Sequence, residues 1–265
     1  MRLFLFQCCV LVLLVFSSST HHVHARENPN KIVPLYMQEA LDAAGHQLPD
    51  SPGIHQFIVF FEREAQVRFQ LTHLPWNRAK NMVAEGRGII WGFSKTTERM
   101  AKFEFSEPVL VSNIWAIVYG APIKPHVVLN DLKGLTISVE RGVSHGMEFE
   151  AARGTVFKVD EDAASAPIRF RKLMAGRSDA LLWGLVQFDE HAEIQDYIQN
   201  KYIPSMSDPY LRGKDFFVSL RPIFNDSLHF ASAKGKFSEE MQRINKAIKR
   251  GLKSGELSKI LRDME

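Results

Sequence analysis

The sequence predicts a two-lobed α/β protein whose halves are joined by two extended strands. Three observations carry this. Residues 86–92 read GRGIIWG and residues 176–184 read GRSDALLWG, and each phrase follows a helix-like stretch, NRAKNMVAE and PIRFRKLMA. Each phrase closes a run in which strand-like and helix-like patterns alternate, the signature of a parallel sheet covered by helices. Between and after the two runs lie apolar segments without helical spacing, 109–119 (VLVSNIWAIVY) and 216–230.

The first run opens on KIVPLY at 31–36, a strand, and the polar AGHQLPDSPG follows as a loop. Ile54, Phe57, Ile58 and Phe61 recur at helical spacing and predict a helix over 54–66. Residues 67–71 alternate sides as a strand. Trp76, Ala79, Met82 and Val83 mark one face of a second helix, stopped by Gly86 and Gly88. Ile89 to Trp91 is short and apolar enough only for a buried strand. The second run repeats the grammar: strand 136–139, helix start 144–152, strand 156–159, helix 166–175, strand 180–183. Two helices close the chain. The first runs through Phe237, Met241, Ile244 and Ile248, with Ser238 as its cap and Glu239 and Glu240 complementing its N-terminal dipole. The second runs through Leu257, Ile260 and Leu261.

Composition narrows the function classes. Of the 265 residues, 1–25 read as a secretory leader: one basic residue (Arg2), an apolar run from Leu3 to Phe16, and a small-residue exit at Val23-His24-Ala25. That run is short of the ~20 residues a membrane span needs, so cleavage after Ala25 and export to the periplasm are expected. Both cysteines, Cys8 and Cys9, fall in the leader, which excludes disulfide and thiolate chemistry from the mature chain. The formal charge of +3 becomes +2 without Arg2, with the signs interspersed, and that is no nucleic-acid footprint. The HHVH tract at 21–24 leaves with the leader. No cofactor and no metal are expected, and the chain is read as a monomer.

In open α/β sheets ligands bind beyond the carboxyl ends of the strands. The echoed ends Trp91-Gly92 and Trp183-Gly184 are therefore expected to face each other across a cleft. The residues that follow the first echo are more specific: Ser94-Lys95-Thr96-Thr97-Glu98-Arg99, then Phe103-Glu104-Phe105-Ser106-Glu107-Pro108. Further phrases come in matching order: Asp131-Leu132-Lys133-Gly134, Arg141-Gly142-Val143-Ser144, the Ala175-Gly176-Arg177 phrase with Asp179-Ala180, and the terminal INKAIKRGLKSGELSKIL. Together they resemble the bacterial extracellular solute-binding proteins of family 3, the type II periplasmic binding proteins that serve polar amino acid ABC transporters.

The resemblance spans essentially the whole mature chain. It implies two Rossmann-like lobes, residues 26–111 plus 225–265 and residues 112–224, joined by a two-strand hinge and closing on a small polar solute for an ABC transporter permease. It places the ligand-carboxylate arginine at Arg99, whose planar fork pairs two carboxylate oxygens, with Ser94 beside it. Gly92 matches a strand edge that lets a ligand approach, and Ser144 and His145 match a helix-start loop that donates to the same carboxylate. One position departs from the pattern. The acid that takes an α-amino group falls at Gly184, while Asp189 and Glu190 are offset. Either the ligand is then a carboxylate without that amine, or its amine is reached by Glu39 from the first-strand loop. Trp91 and Trp183 are candidates to stack on a flat or cationic ligand, with core packing the competing role for Trp91.

Two other classes stay open on sequence grounds. Gly142-Val143-Ser144-His145-Gly146 fits the G-x-S-x-G elbow of serine hydrolases, with Asp179 or Asp189 and then His191 or His229 in the right order. A dehydratase would need an acid and a base in the cleft, for which His145 and Glu39 are the candidates. A sensory binding role is a third alternative. Asn225-Asp226-Ser227 is a formal glycosylation acceptor without meaning in a bacterial protein.

Overall fold

The computed structural model describes residues 32–120, 128–185, 188 and 190–264. The predicted leader, with Cys8, Cys9 and the histidine tract, lies outside the described residues, as does Asp189.

Both runs fold as strand-helix alternations. Strand β1 (Ile32–Gln38) leads through a loop to α1 (Pro52–Ala65), β2 (Arg68–Leu74), α2 (Trp76–Ala84) and β3 (Ile89–Ser94). The start of α1 is set by Ser51, whose hydroxyl accepts from Ile54 N at 3.3 Å, with Pro52 in the first turn. A short helix α3 (Thr97–Lys102), capped by Thr96, and strand β4 (Phe103–Phe105) follow. The long strand β5 (Leu110–Tyr119) then leaves the first run. The second run is β6 (Thr136–Glu140), α4 (Met147–Ala152), β7 (Lys158–Asp162), α5 (Ala166–Met174) and β8 (Ala180–Leu185). Helix α6 (His191–Tyr197) continues through a π-turn, Ile198–Tyr202, into α7 (Ile203–Ser205). Strands β9 (Phe216–Val218) and β10 (Phe224–Ala233) precede the closing helices α8 (Ser238–Ser254) and α9 (Glu256–Arg262).

The strands pair in the order β2-β1-β3-β10-β5-β8-β6-β7. Each end is parallel: β2, β1 and β3 on one side, β8, β6 and β7 on the other. The middle is antiparallel, because β10 pairs β3 and β5, and β5 pairs β8. The two long strands β5 and β10 are thus shared between the halves, as the two helix-free apolar segments predicted.

The apolar side chains segregate in the same way. One core gathers β1, α1, β3, α8 and α9, with Phe57, Phe61 and Trp91 around Phe230. Two further clusters lie on either face of β5 and β8 in the other half, around Phe149 and Ile137 and around Trp115 and Phe170. The halves therefore form two lobes, each with its own interior, and the space between them is where the strands of both end.

Three local expectations shift. Phe237, in the left-handed region at φ 54, stands at the N-cap of α8 and Ser238 is its first residue. Helix α4 begins at Met147, later than the predicted start at 144, because Gly142 and Gly146 hold positive φ and keep 142–146 as a loop. The 216–230 stretch is two strands separated by a turn.

Candidate functional site

The lobes meet in a closed arrangement, held by hydrogen bonds that cross from one to the other. Leu41 N donates to Ala164 O at 2.8 Å and Ser165 Oγ to Asp42 O at 2.9 Å. Gln38 Nε2 donates to the Glu140 carboxylate. On the opposite rim, Lys80 Nζ and Arg99 Nη2 both reach Gly142 O, at 3.1 and 3.2 Å. Gly142 suits this contact. Its φ is +79°, and a Cβ on it would stand 2.0 Å from Asn77 Oδ1 of the facing lobe. Val143 packs onto the first lobe's cluster of Tyr36, Trp76 and Phe93.

Between the lobes lies a cavity of about 530 Å³ at the carboxyl ends of β1, β3, β6 and β8. This is the range of small-molecule sites. Of the residues predicted for the site, Glu39, Gly92, Ser94, Ser144, His145, Trp183 and Gly184 line it. Two do not. Trp91 is turned into the first core, 4.6 Å from Phe57 and 4.9 Å from Phe230 between ring centroids. Arg99 lies behind the cavity wall, in a separate recess with Lys80 and Glu150.

Arg99 is 8% exposed, and its guanidinium is spent on the protein itself. Nη1 donates to Ser94 O at 2.9 Å, Nη2 to Gly142 O, and the charge sits 4.2 Å over the Phe93 ring. Burial pulls its pKa down to about 10, against the pull of Glu150, Asp226 and Glu98. In this closed state Arg99 ties the lobes together and offers no fork to the cavity.

The sequence reading missed the cavity's strongest charges. Asp226, on β10, accepts from Ser94 Oγ at 2.5 Å, and Ser94 Oγ also stands 2.9 Å from Ser144 O of the facing lobe. Burial pushes the Asp226 carboxyl up to about 6, although Ser94, Arg99 and Ser227 N favour its ionised form. Glu140 ends β6, and burial raises it too, with Arg169 and Gln38 opposing. Arg169, from α5, is the only lysine or arginine lining the cavity among the described residues. It donates to Ser138 Oγ, Ser138 O and Leu182 O at 3.3, 3.0 and 3.2 Å, and lies 5.2 Å over the Trp183 ring. Trp76 and Tyr202 complete an aromatic wall with Trp183, whose ring centroid is 5.1 Å from that of Tyr202.

His145 is half-buried, its ring meeting Phe149 and Phe224 at 5.3 and 6.2 Å between centroids. Burial first, then Arg169 and Arg99, hold its pKa down to about 3, so it is neutral. Ser144 Oγ accepts from Gly146 N at 3.3 Å. The ring nitrogens of His191 and His229 are bonded elsewhere, to Ser219 O and Ser106 O. Neither histidine lines the cavity with Ser144, and among the described residues no hydrogen bond joins Ser144 Oγ to a histidine ring. At Gly184 a Cβ would meet Ser112 Oγ at 2.7 Å and Ile114 Cδ1 at 3.1 Å, so a side chain at this strand end requires those two side chains of β5 to give way.

No protein-family model and no curated protein matches the sequence. Solved structures do match by shape. One is the amino acid ABC transporter substrate-binding protein AbpA from Streptococcus pneumoniae bound to L-arginine, at TM-score 0.64 and 18% identity, over 88% of this chain and 96% of that one. The fold is that of the type II periplasmic binding proteins. The arginine-, lysine-, histidine-binding protein ArtJ from Geobacillus stearothermophilus aligns at TM-score 0.62 and 18% identity, over 88% and 95% of the two chains. An ancestral amino acid-binding protein, AncCDT-1, a precursor of cyclohexadienyl dehydratase, aligns at 0.61 and 17%, over 88% and 95%. The interlobe cavity at the strand ends is the place where this fold type offers a ligand site.

Proposed function

We propose that this chain is a solute-binding protein that captures a small polar solute between its lobes and closes over it by hinge motion. The observation that carries this is the cavity itself. It is enclosed by two lobes, walled by buried charges and aromatic rings, and latched on both rims by bonds that exist only when the lobes are together. The lobes we assign are 26–111 plus 225–265 and 112–224, in keeping with the segregated cores. Export through residues 1–25, residence in the periplasm as a monomer, and delivery to an ABC transporter permease complete the reading. Among solved structures of this fold, the AbpA structure holds L-arginine and ArtJ bears arginine, lysine and histidine in its name. Amino acids of that cationic kind suit a cavity lined by Glu39, Glu140 and Asp226 better than acidic ones do.

The test combines thermal shift of the purified protein, over a panel of amino acids, amines and dicarboxylates, with small-angle scattering. A ligand at 100 times its Kd adds about 2.7 kcal/mol of stability. A binder should raise the melting temperature and reduce the radius of gyration together. No panel member doing either would overturn the reading.

A further inference from the structure

Resting on the solute-binding reading, we infer that the cleft selects a small organic cation that carries no carboxylate. Two of the groups that the family resemblance assigns to a ligand carboxylate, Ser94 and Arg99, are already occupied from within. Ser94 Oγ is on Asp226 Oδ2 at 2.5 Å. Asp226 Oδ1 lies 2.9 Å from where a Cβ of Gly146 would be, so the internal carboxylate fills the space against the 142–146 loop. Arg99 bonds Ser94 O and Gly142 O and does not line the cavity. An incoming carboxylate meets Asp226, a charge of its own sign, where the resemblance promised a free guanidinium, and like charges brought together out of water repel strongly.

The one lining cation among the described residues does not change this. Arg169 lies in the field of Glu140 and Asp162 and spends three bonds on Ser138 and Leu182. The rest of the wall favours positive charge. Glu39 follows the end of β1 and Glu140 ends β6, on opposite lobes, with Gln38 bonding the second of them. An ammonium or guanidinium held there would be paired by both lobes at once and would face the rings of Trp76, Trp183 and Tyr202, surfaces that attract cations. With glycine at 184 in place of an acid and Asp226 on Ser94, the charges for an α-amino group and an α-carboxylate are both displaced from their expected places.

Agmatine and L-arginine make the deciding pair, since they differ only by the α-carboxylate. Isothermal titration of the purified protein should show agmatine, or the diamine putrescine, binding at least about tenfold more tightly than L-arginine, and L-glutamate not binding. Asp226→Ala vacates the Ser94 hydroxyl and should shift the arginine-to-agmatine ratio by about tenfold or more toward arginine. Should that variant fold poorly, Asp226→Asn should move the ratio the same way by less. L-arginine or L-glutamate binding the unaltered protein as tightly as agmatine would overturn the inference, as would a ratio indifferent to both substitutions. If panel carboxylates bind and no amine does, the inference falls and the solute-binding reading stands. If nothing binds and nothing compacts the protein, both fall.

Discussion

Asp226→Asn should stabilise the protein at neutral pH, and the gain should disappear in acid. In the fold the Asp226 carboxyl sits at about 6 against an ordinary 3.8. That gap of about 2 pH units is worth roughly 3 kcal/mol at ~1.4 kcal/mol per unit, as an order of magnitude. The sign follows from linkage. A raised folded pKa means that the protonated carboxyl fits the fold, so its contribution is whole below 3.8 and is lost as pH rises through 6. Asparagine keeps the shape and the acceptor for Ser94 Oγ, and it cannot ionise. The facing groups are the Ser94 hydroxyl, Ser227 N and, at longer range, the Arg99 guanidinium. Losing the attraction to Arg99 offsets part of the gain, so a net 1–3 kcal/mol is expected. Urea denaturation of both proteins at pH 4, 5.5 and 7 reads the difference directly, and the titration of every other group cancels in it. A variant less stable than the parent at pH 7, or a difference that does not grow between pH 4 and 7, would refute the reasoning.

Gly142→Ala should weaken closure, because it strains a residue at φ +79° and drives a Cβ to 2.0 Å from Asn77 Oδ1 of the other lobe. The strain alone costs about 1–3 kcal/mol, and scattering with a saturating ligand should show a larger radius than the parent. Arg169→Met should destabilise by about 2–4 kcal/mol in urea, because it strips the donors from Ser138 O and Leu182 O and the nearby positive charge from half-buried Glu140. His145→Leu should flatten the acid limb of the stability curve. His145 is held down to about 3 from 6.5, so the parent loses stability as pH falls from 6.5 toward 3, by roughly 1.4 kcal/mol per unit at most. The groups acting on it are Arg169, Arg99 and the rings of Phe149 and Phe224. A slope unchanged in the variant between pH 6.5 and 4 would assign the acid limb to other groups.

The alternation of strands and helices was legible because it is written in local periodicity, and the echo at Trp91-Gly92 and Trp183-Gly184 marked two equivalent strand ends. What the echo could not say was which way each tryptophan turns. Trp183 lines the cavity while resting on Phe170 and Tyr202, and Trp91 lies in the core against Phe57 and Phe230. Asp226 was hidden in a stretch that reads as strand, where a polar residue passes for the exposed half of an alternation. Its neighbour Ser94 comes from 132 positions away. Arg169 was hidden by the helical face of PIRFRKLM, in which three cations within four residues look solvated. Only the fold reveals that one of them is buried under Trp183. Glu140 had the best available signal, an acid closing an apolar strand at its carboxyl end, where ligands of open sheets bind.

The electrostatics of the cavity and the closure of the lobes are parts of one equilibrium. Ser94 has a single hydroxyl hydrogen and two acceptors within reach, Asp226 Oδ2 in its own lobe and Ser144 O across the cleft. When Asp226 is ionised it claims that hydrogen, and the contact with Ser144 O goes without a donor. When Asp226 is protonated it can donate to Ser94 Oγ, which frees the hydroxyl to donate across the cleft. Closing the empty protein thus desolvates a carboxylate and raises its pKa. A cation in the cavity compensates the same charge without a proton, and it draws Glu39 and Glu140 to itself from both lobes. Where the empty protein is already closed, binding a cationic solute should therefore release protons near pH 6. Titrations in buffers of different ionisation enthalpy would detect this as a binding heat that depends on the buffer. A heat that is independent of the buffer at pH 6, with a cation that does bind, would mean that closure leaves the proton on Asp226 undisturbed and that the two equilibria are separate.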